Sequence, residues 1–286
     1  MYARAVPGDV VIITGTSSGI GLAAAIECAT AGFRVVATMR NLDRRAALLD
    51  AAAARSVKLD TEQLDVTAES APARVRELIL KYGPPYGLVN NAGIGIGGAF
   101  EEQSDKDVRD QFETNVFGLM TMTRAVLPAM RAASRGRIVN ISSLSGRVGF
   151  PLLSVYAATK HAVEGFSEGL RWEVEPFGID VCLIEPGTFK TPIFFENQRR
   201  GELLDKAGPY AAMSDRVEAL VARSAEKANP PDHVGRTIAK VLRDPSPPFR
   251  TLVGADALAL ATLRRALPDR LFATGLRRLV QSTRLR

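Results

Sequence analysis

The chain is poor in the side chains that metal and disulfide chemistry use, with two cysteines, two histidines and one tryptophan in 286 residues. Cys28 and Cys182 fall in apolar stretches that read as a helix and a strand. Two buried, reduced thiols are therefore expected rather than a disulfide, and with only His161 and His233 besides, no zinc site is expected. No apolar run approaches the roughly 18 residues that would span a bilayer. The opening MYARAVPGDVVIITG lacks the basic flank, apolar stretch and small-residue cleavage site of a secretory signal, so a cytoplasmic protein is expected. Internal repeats are missing, and the one biased stretch, alanine-rich 46–54, is simply a good helix. Acidic residues are fewer than basic ones, giving a net charge of +6, but the excess is local. Residues 251–286 hold seven arginines against Asp256 and Asp269, so the body is close to neutral. Nucleic-acid binding through the body is therefore not expected. For the tail the expectation is a solvated or subunit-facing helix, with peripheral contact to an anionic membrane, or polyanion contact, as the alternative.

What is present is a core. Hydrophobic residues make up 46% and charged residues 24%, the balance of a globular chain, and one domain over 1–286 is expected. Strand-length apolar runs alternate with segments of helical period: VVIIT (10–14), FRVVATM (33–39), VKLDTEQLDV (57–66), GLVN (87–90), RIVNIS (137–142) and IDVCLIE (179–185). A seventh run lies near TLVG (251–254). The alternation predicts an α/β fold, a doubly wound parallel sheet of Rossmann type with about seven strands flanked by helices. Gly32, Gly83 and Gly178 sit where helices should end. The core spans about 8–190. From about 189 the alternation fails, and 191–213 and 222–231, rich in charge, Pro and Gly, read as a mobile flap and linker rather than sheet. Because this segment follows a strand end, 191–230 is the candidate substrate lid. Residues 255–286 read as a basic amphipathic helical extension, in which Leu260, Leu263 and Leu267 recur at helical spacing and Leu271, Phe272, Leu276 and Leu279 extend an apolar set.

The first strand runs into Thr14-Gly15-Thr16-Ser17-Ser18-Gly19-Ile20-Gly21 and then a helix. A strand-to-helix turn needs glycine where the chain reverses and where backbone approaches a pyrophosphate, whose charge the free amides and dipole of the helix N-terminus accept. At the end of the second strand no acid awaits a ribose hydroxyl. Arg40 stands there instead and can contact a 2′-phosphate, helped by the Ser18 hydroxyl, so NADP(H) is favoured over NAD(H). Asp43 is read as the cap of the following helix. A hydroxyl that is to give a proton near neutral pH and take one back needs a cation nearby to stabilise its anion. Tyr156 followed four residues later by Lys160 supplies a phenol with a cation one helical turn away.

The glycine spacing resembles the Thr-Gly-x-x-x-Gly-x-Gly of short-chain dehydrogenases/reductases. The resemblance continues in order through Asn90-Asn91-Ala92-Gly93, Asn115, Ser143, Tyr156-x-x-x-Lys160, and Pro186-Gly187 with Thr191, over about 8–192. VVATMRN and the stretch from YAATKHAVEGF to TPIF are similar to the hydroxysteroid and retinol dehydrogenase branch. The resemblance implies hydride transfer between a nicotinamide and a carbonyl or alcohol, with Tyr156 as acid/base. It selects Ser143, thirteen residues before Tyr156, to hold the substrate oxygen, and leaves Ser142 as a backbone-capping hydroxyl. It gives Lys160 a grip on the nicotinamide ribose and Asn115 a water relay, although Asn115 alone reads as an amide bracing two strands. Gly15, Ser17, Ser18, Gly19, Ile20 and Gly21 would cradle the cofactor, Asp65 and Val66 flank the adenine, and Asn90, Ala92 and Gly93 line its path. Pro186, Gly187 and Thr191 would complete the site with Tyr156 and Lys160.

A homodimer or homotetramer through the helices of Asn115 and Tyr156 is also implied. The branch alone suggests a lipophilic substrate such as a steroid, retinoid or other apolar carbonyl. Leu144, Phe150, Leu153, Phe189, Ile193, Phe194 and Phe195 would then line the pocket, unless they are only core and lid packing. His161 reads as packed or solvated, and Asn140-Ile-Ser, in a strand, as no glycosylation acceptor. Two other readings are an NADP(H)-sensing regulator without catalysis, against which the intact Ser143, Tyr156 and Lys160 weigh, and a basic scaffold, against which the small body charge weighs.

Overall fold

The computed structural model describes residues 5–191, 199–205, 207–226 and 228–281. Seven strands, β1 (Val10–Thr14), β2 (Arg34–Met39), β3 (Asp60–Gln63), β4 (Gly87–Asn90), β5 (Gly136–Ile141), β6 (Ile179–Pro186) and β7 (Arg250–Val253), form one sheet. All neighbouring pairs are parallel, in the order β3-β2-β1-β4-β5-β6-β7. Side chains alternate across this sheet, and both sets are apolar because helices cover both faces. Val11, Ile13, Val35, Ala37, Val89 and Val139 pack against α1 (Gly19–Thr30), α2 (Ala46–Ala54) and α8 (Asp232–Arg243). Val10, Ile12, Val36, Leu88, Ile138 and Val181 pack against α3 (Ala71–Tyr82), α5 (Leu119–Ala132) and α6 (Ser154–Val174). Strand order reverses between β1 and β4, and in such sheets the crevice beyond those strand ends takes the ligand.

Gly32, Gly83 and Gly178 have positive φ just past helix ends, as expected. The third strand is shorter than the run 57–66, keeping only Asp60–Gln63. Where it is described, the segment after 189 carries regular structure that its composition did not predict. Phe189 bridges to Asn229, Arg199–Arg200 pairs in parallel with Ile96–Gly97, and α7 (Ala211–Glu226) is a helix. Residues 222–226 are therefore helical rather than linker. The tail forms two helices, α9 (Ala255–Ala266) and α10 (Asp269–Gln281), separated at Leu267-Pro268. No described helix is long and apolar enough to cross a membrane.

Candidate active site

At the β1 end, Gly15 has φ +70, and a Cβ on it would lie 2.8 Å from the Ala92 Cα. A Cβ on Gly21 would lie 2.2 Å from the Gly15 carbonyl oxygen, so this loop closes only with glycine at both places. A side chain the sequence reading passed over, Asn91, locks the turn: its amide donates to the carbonyls of Thr14 at 2.8 Å and Gly15 at 3.0 Å. The Thr14 hydroxyl accepts from the amides of Asn91 and Ala92, both at 3.0 Å. Ser18 is extended and makes no side-chain cap, so the first-turn amides of α1 receive no side-chain acceptor, and Ser17, Ser18, Gly19 and Ile20 are half-buried beside them. Unused donors at a positive helix end fit the diphosphate of a dinucleotide.

Arg40 is exposed just beyond β2, its backbone carbonyl held by the Gln63 amide at 3.1 Å. The helix cap assigned to Asp43 belongs to Asn41, whose side chain accepts from the Asp43 amide at 2.8 Å because it stands in the extended cap position. Asp65 closes a local turn by accepting from the amide and hydroxyl of Thr67, with Val66 buried beside it. Asn90 turns inward and donates to Thr123 at 3.0 Å and Asn140 at 2.9 Å, while Asn140 donates to Ser167 at 2.8 Å. This amide network braces β4 and β5 against α5 and α6. Asn140, fully buried in it, is no glycosylation acceptor.

Ser143, Tyr156 and Lys160 come together at the β5 end. Tyr156 is buried and hydrogen-bonded to the Ser143 hydroxyl. Burial pushes its phenol up to about 12, against the Ser143 bond, which favours the phenolate. Lys160 lies with its ammonium 5.7 Å from the Tyr156 ring centre and donates to the Ile141 carbonyl at 2.9 Å. Burial pulls it down to about 8, partly opposed by Glu164, one turn further on. Glu164 is itself held by Arg250 at 3.0 Å. The cap expected of Ser142 is made by Ser143, whose hydroxyl accepts from Ser145 at 3.1 Å and caps the short turn Leu144–Gly146. Ser142 is no cap, and among the described residues its buried hydroxyl has no partner.

Asn115 sits in a π-helical turn (Glu113–Gly118) joining α4 (Asp105–Phe112) to α5. Its side chain braces a loop to a helix rather than two strands. The oxygen accepts from Ile94 at 2.8 Å, and the amide donates to the Ile94 carbonyl at 2.9 Å and to Thr159 of α6 at 3.1 Å. Gly93 leaves room for it, since a Cβ there would stand 3.1 Å from that oxygen. His161 is exposed, with its ring bonded to the Ala157 carbonyl at 2.8 Å.

Pro186, at the end of β6, and Thr191 beyond it are buried, and Gly187 between them is half-buried. Asp256, which the sequence reading missed, accepts from the Thr188 amide at 2.7 Å and clasps this loop from the first turn of α9. Leu144, Val148 and Ala257 form an apolar cluster with Phe150, Leu260 and Phe272, so the tail supplies part of the wall next to Ser143. Leu153 is half-buried at the start of α6. Phe189 belongs instead to the sheet core with Val234 and Val253, because its bridge to Asn229 turns it inward. Ile193, Phe194, Phe195 and the Leu279 side chain lie outside the described residues.

The family profile described as short chain dehydrogenase matches residues 9–201. A 3-ketodihydrosphingosine reductase of Bacteroides thetaiotaomicron is 38% identical over 271 residues, covering 94% of this chain and 97% of its own. The 17-beta-hydroxysteroid dehydrogenase type 1 of Homo sapiens is 35% identical over 271 residues, covering 89% and 80%. Among solved structures, a short-chain dehydrogenase from Streptomyces avermitilis superposes with TM-score 0.80 at 35% identity over 97% of this chain and 99% of its own. A metagenomic short-chain oxidoreductase in complex with NADP gives TM-score 0.68 at 25% identity over 87% and 97%.

Proposed function

Because the chain belongs to the short chain dehydrogenase family, as an oxidoreductase acting on CH–OH donors with a nicotinamide cofactor, we propose that it is NADP(H)-dependent and interconverts a lipophilic carbonyl and its alcohol with Tyr156 as the acid/base. The observation that carries this reading is the contact of the Tyr156 and Ser143 hydroxyls beside the buried Lys160 ammonium. The bound nicotinamide supplies or accepts the hydride. In the reducing direction Ser143 donates a hydrogen bond to the carbonyl oxygen, and Tyr156, kept protonated through neutral pH by its raised pKa, gives its proton to the alkoxide as it develops. In the oxidising direction the same hydroxyl must lose its proton first. Ser143 and the Lys160 charge favour that loss, and Lys160 keeps its charge only below about 8.

The first-turn amides of α1 would hold the diphosphate, and Arg40, free of any ion pair among the described residues, the 2′-phosphate. Gly187 and Thr191 would meet the nicotinamide end. Both N–H groups of the Asn115 amide are already engaged, so its relay role would fall to the backbone carbonyl. The lipophilic substrate is supported by the apolar wall of Leu144, Val148, Phe150 and Leu260 and by the names of the two relatives. A homodimer or homotetramer through α5 and α6 would cover the exposed Phe117 and Trp172.

The test is single-turnover NADPH oxidation with a ketone that the wild type reduces. Tyr156→Phe removes only the hydroxyl, so folding and NADPH binding should survive while the rate falls about 10² to 10⁴-fold. A rate within about threefold of wild type overturns the assignment, since general acid/base catalysis contributes far more than that.

A further inference from the structure

Helix α9 is apolar on two sides. Its inward residues Ala257, Leu260 and Ala261 rest on Leu144, Val148 and Phe150. On the opposite side Ala255, Leu258, Ala259, Leu263 and Ala266 recur at helical spacing and are all exposed. Leu258 and Leu263 leave 59% and 47% of their surface to solvent, and beyond the helix end Leu267 and Leu271 leave 36% and 60%. An exposed apolar stripe bordered by cations is what a helix lying on a lipid surface presents, and among the described residues nothing covers this side.

Charge decides between the possible occupants. Arg265 is exposed on α9, Arg270, Arg277 and Arg278 are exposed on α10, and none of them makes an ion pair among the described residues, whereas Arg264 is paired with Asp269. Residues 251–286 carry five of the six net positive charges of the whole chain. Two copies meeting here would press like charges together. An anionic lipid surface is attracted, by about fivefold in affinity for each arginine brought near it.

We propose that the outward side of α9, with the arginines of α9 and α10, docks on an anionic lipid bilayer. The leucines enter the acyl boundary and the arginines meet the head groups, in a peripheral contact. The proposal goes beyond the reaction assigned to the site and holds whatever carbonyl is reduced there. Because the inward side of the same helix rests on the loop that follows Ser143, docking puts the substrate wall about one helix diameter, roughly 10 Å, from the bilayer.

Sedimentation of the full-length protein with vesicles tests this, using phosphatidylcholine alone against equal parts of phosphatidylcholine and phosphatidylglycerol. The wild type should pellet with the mixed vesicles, should stay in solution with the neutral ones, and should be released by high salt. Leu258→Gln and Leu263→Gln should each weaken the association about tenfold, and Arg265→Gln and Arg270→Gln about fivefold each. All four should keep the thermal midpoint and the turnover of a water-soluble ketone, so failure of docking is read separately from failure of the enzymatic assignment. Absence of pelleting, equal pelleting with neutral vesicles, or variants that pellet like wild type overturn the proposal. So does a smaller oligomer of Leu258→Gln in lipid-free sedimentation velocity, because the patch would then join two copies of the chain.

Discussion

Arg40 has an exposed guanidinium at the end of β2 and, among the described residues, no carboxylate partner, so its charge is available to a ligand. Arg40→Asp should weaken NADP(H) far more than NAD(H), since a carboxylate would repel a 2′-phosphate and accept from a free ribose hydroxyl. Isothermal titration with both coenzymes checks this, and an unchanged NADP(H) affinity counts against the assignment. Lys160 makes a different kind of prediction. Its folded pKa of about 8 lies below the ordinary 10.5, so between those values the unfolded chain binds the extra proton and stability rises with pH. Tyr156 has the opposite sign: pushed from 10.0 up to about 12, it makes stability fall with rising pH between those values. Without cofactor, the thermal midpoint of the wild type should therefore climb between about pH 8 and 10 relative to that of Lys160→Met. Parallel melting curves for the two proteins across that range would refute the depressed lysine.

The glycine turn and the tail show how elements, rather than single residues, set the site. Residues 14–21 are readable as a phosphate cradle because strand, glycines and helix are contiguous. The clamp that holds them, Asn91, comes from the far side of the β1–β4 junction. Helices α9 and α10 differ in what they cover. Ala257 is fully buried in the cluster of Leu144 and Val148, and Asp256 clasps the loop at Gly187. Deletion after Asp256 would strip that cluster, so it should lower the thermal midpoint and raise the substrate KM together. Deletion after Leu267 removes only α10, with its half-buried Phe272, and should leave the midpoint within a few degrees while changing KM less. Calorimetry and steady-state kinetics on the two truncations decide it, and equal behaviour would show that α9 does not support the wall.

Across the whole molecule one sheet core joins distant parts of the chain, and Cys28 of α1 and Cys182 of β6 both lie in it. Burial pushes both thiols up, Cys182 to about 12. Their modification by a thiol reagent should therefore wait on global opening and follow the unfolding rate; rapid labelling of either thiol in the native state would contradict this. The sequence by itself determined the alternating elements, the parallel sheet and the pairing of Tyr156 with Lys160 one helical turn apart, while Ser143 was marked out only by its resemblance to the family pattern. Periodicity and one-turn spacing are local. The sequence did not determine that Asn41 rather than Asp43 makes the cap, that Ser143 rather than Ser142 closes the turn, or that Phe189 packs into the core. Nor did it show that Asp256 and Leu260 reach back to the site or that α9 has a bare apolar side. Each of these depends on which groups meet across long separations in the chain, and on which side of a helix remains uncovered, and only the packed tertiary structure decides that.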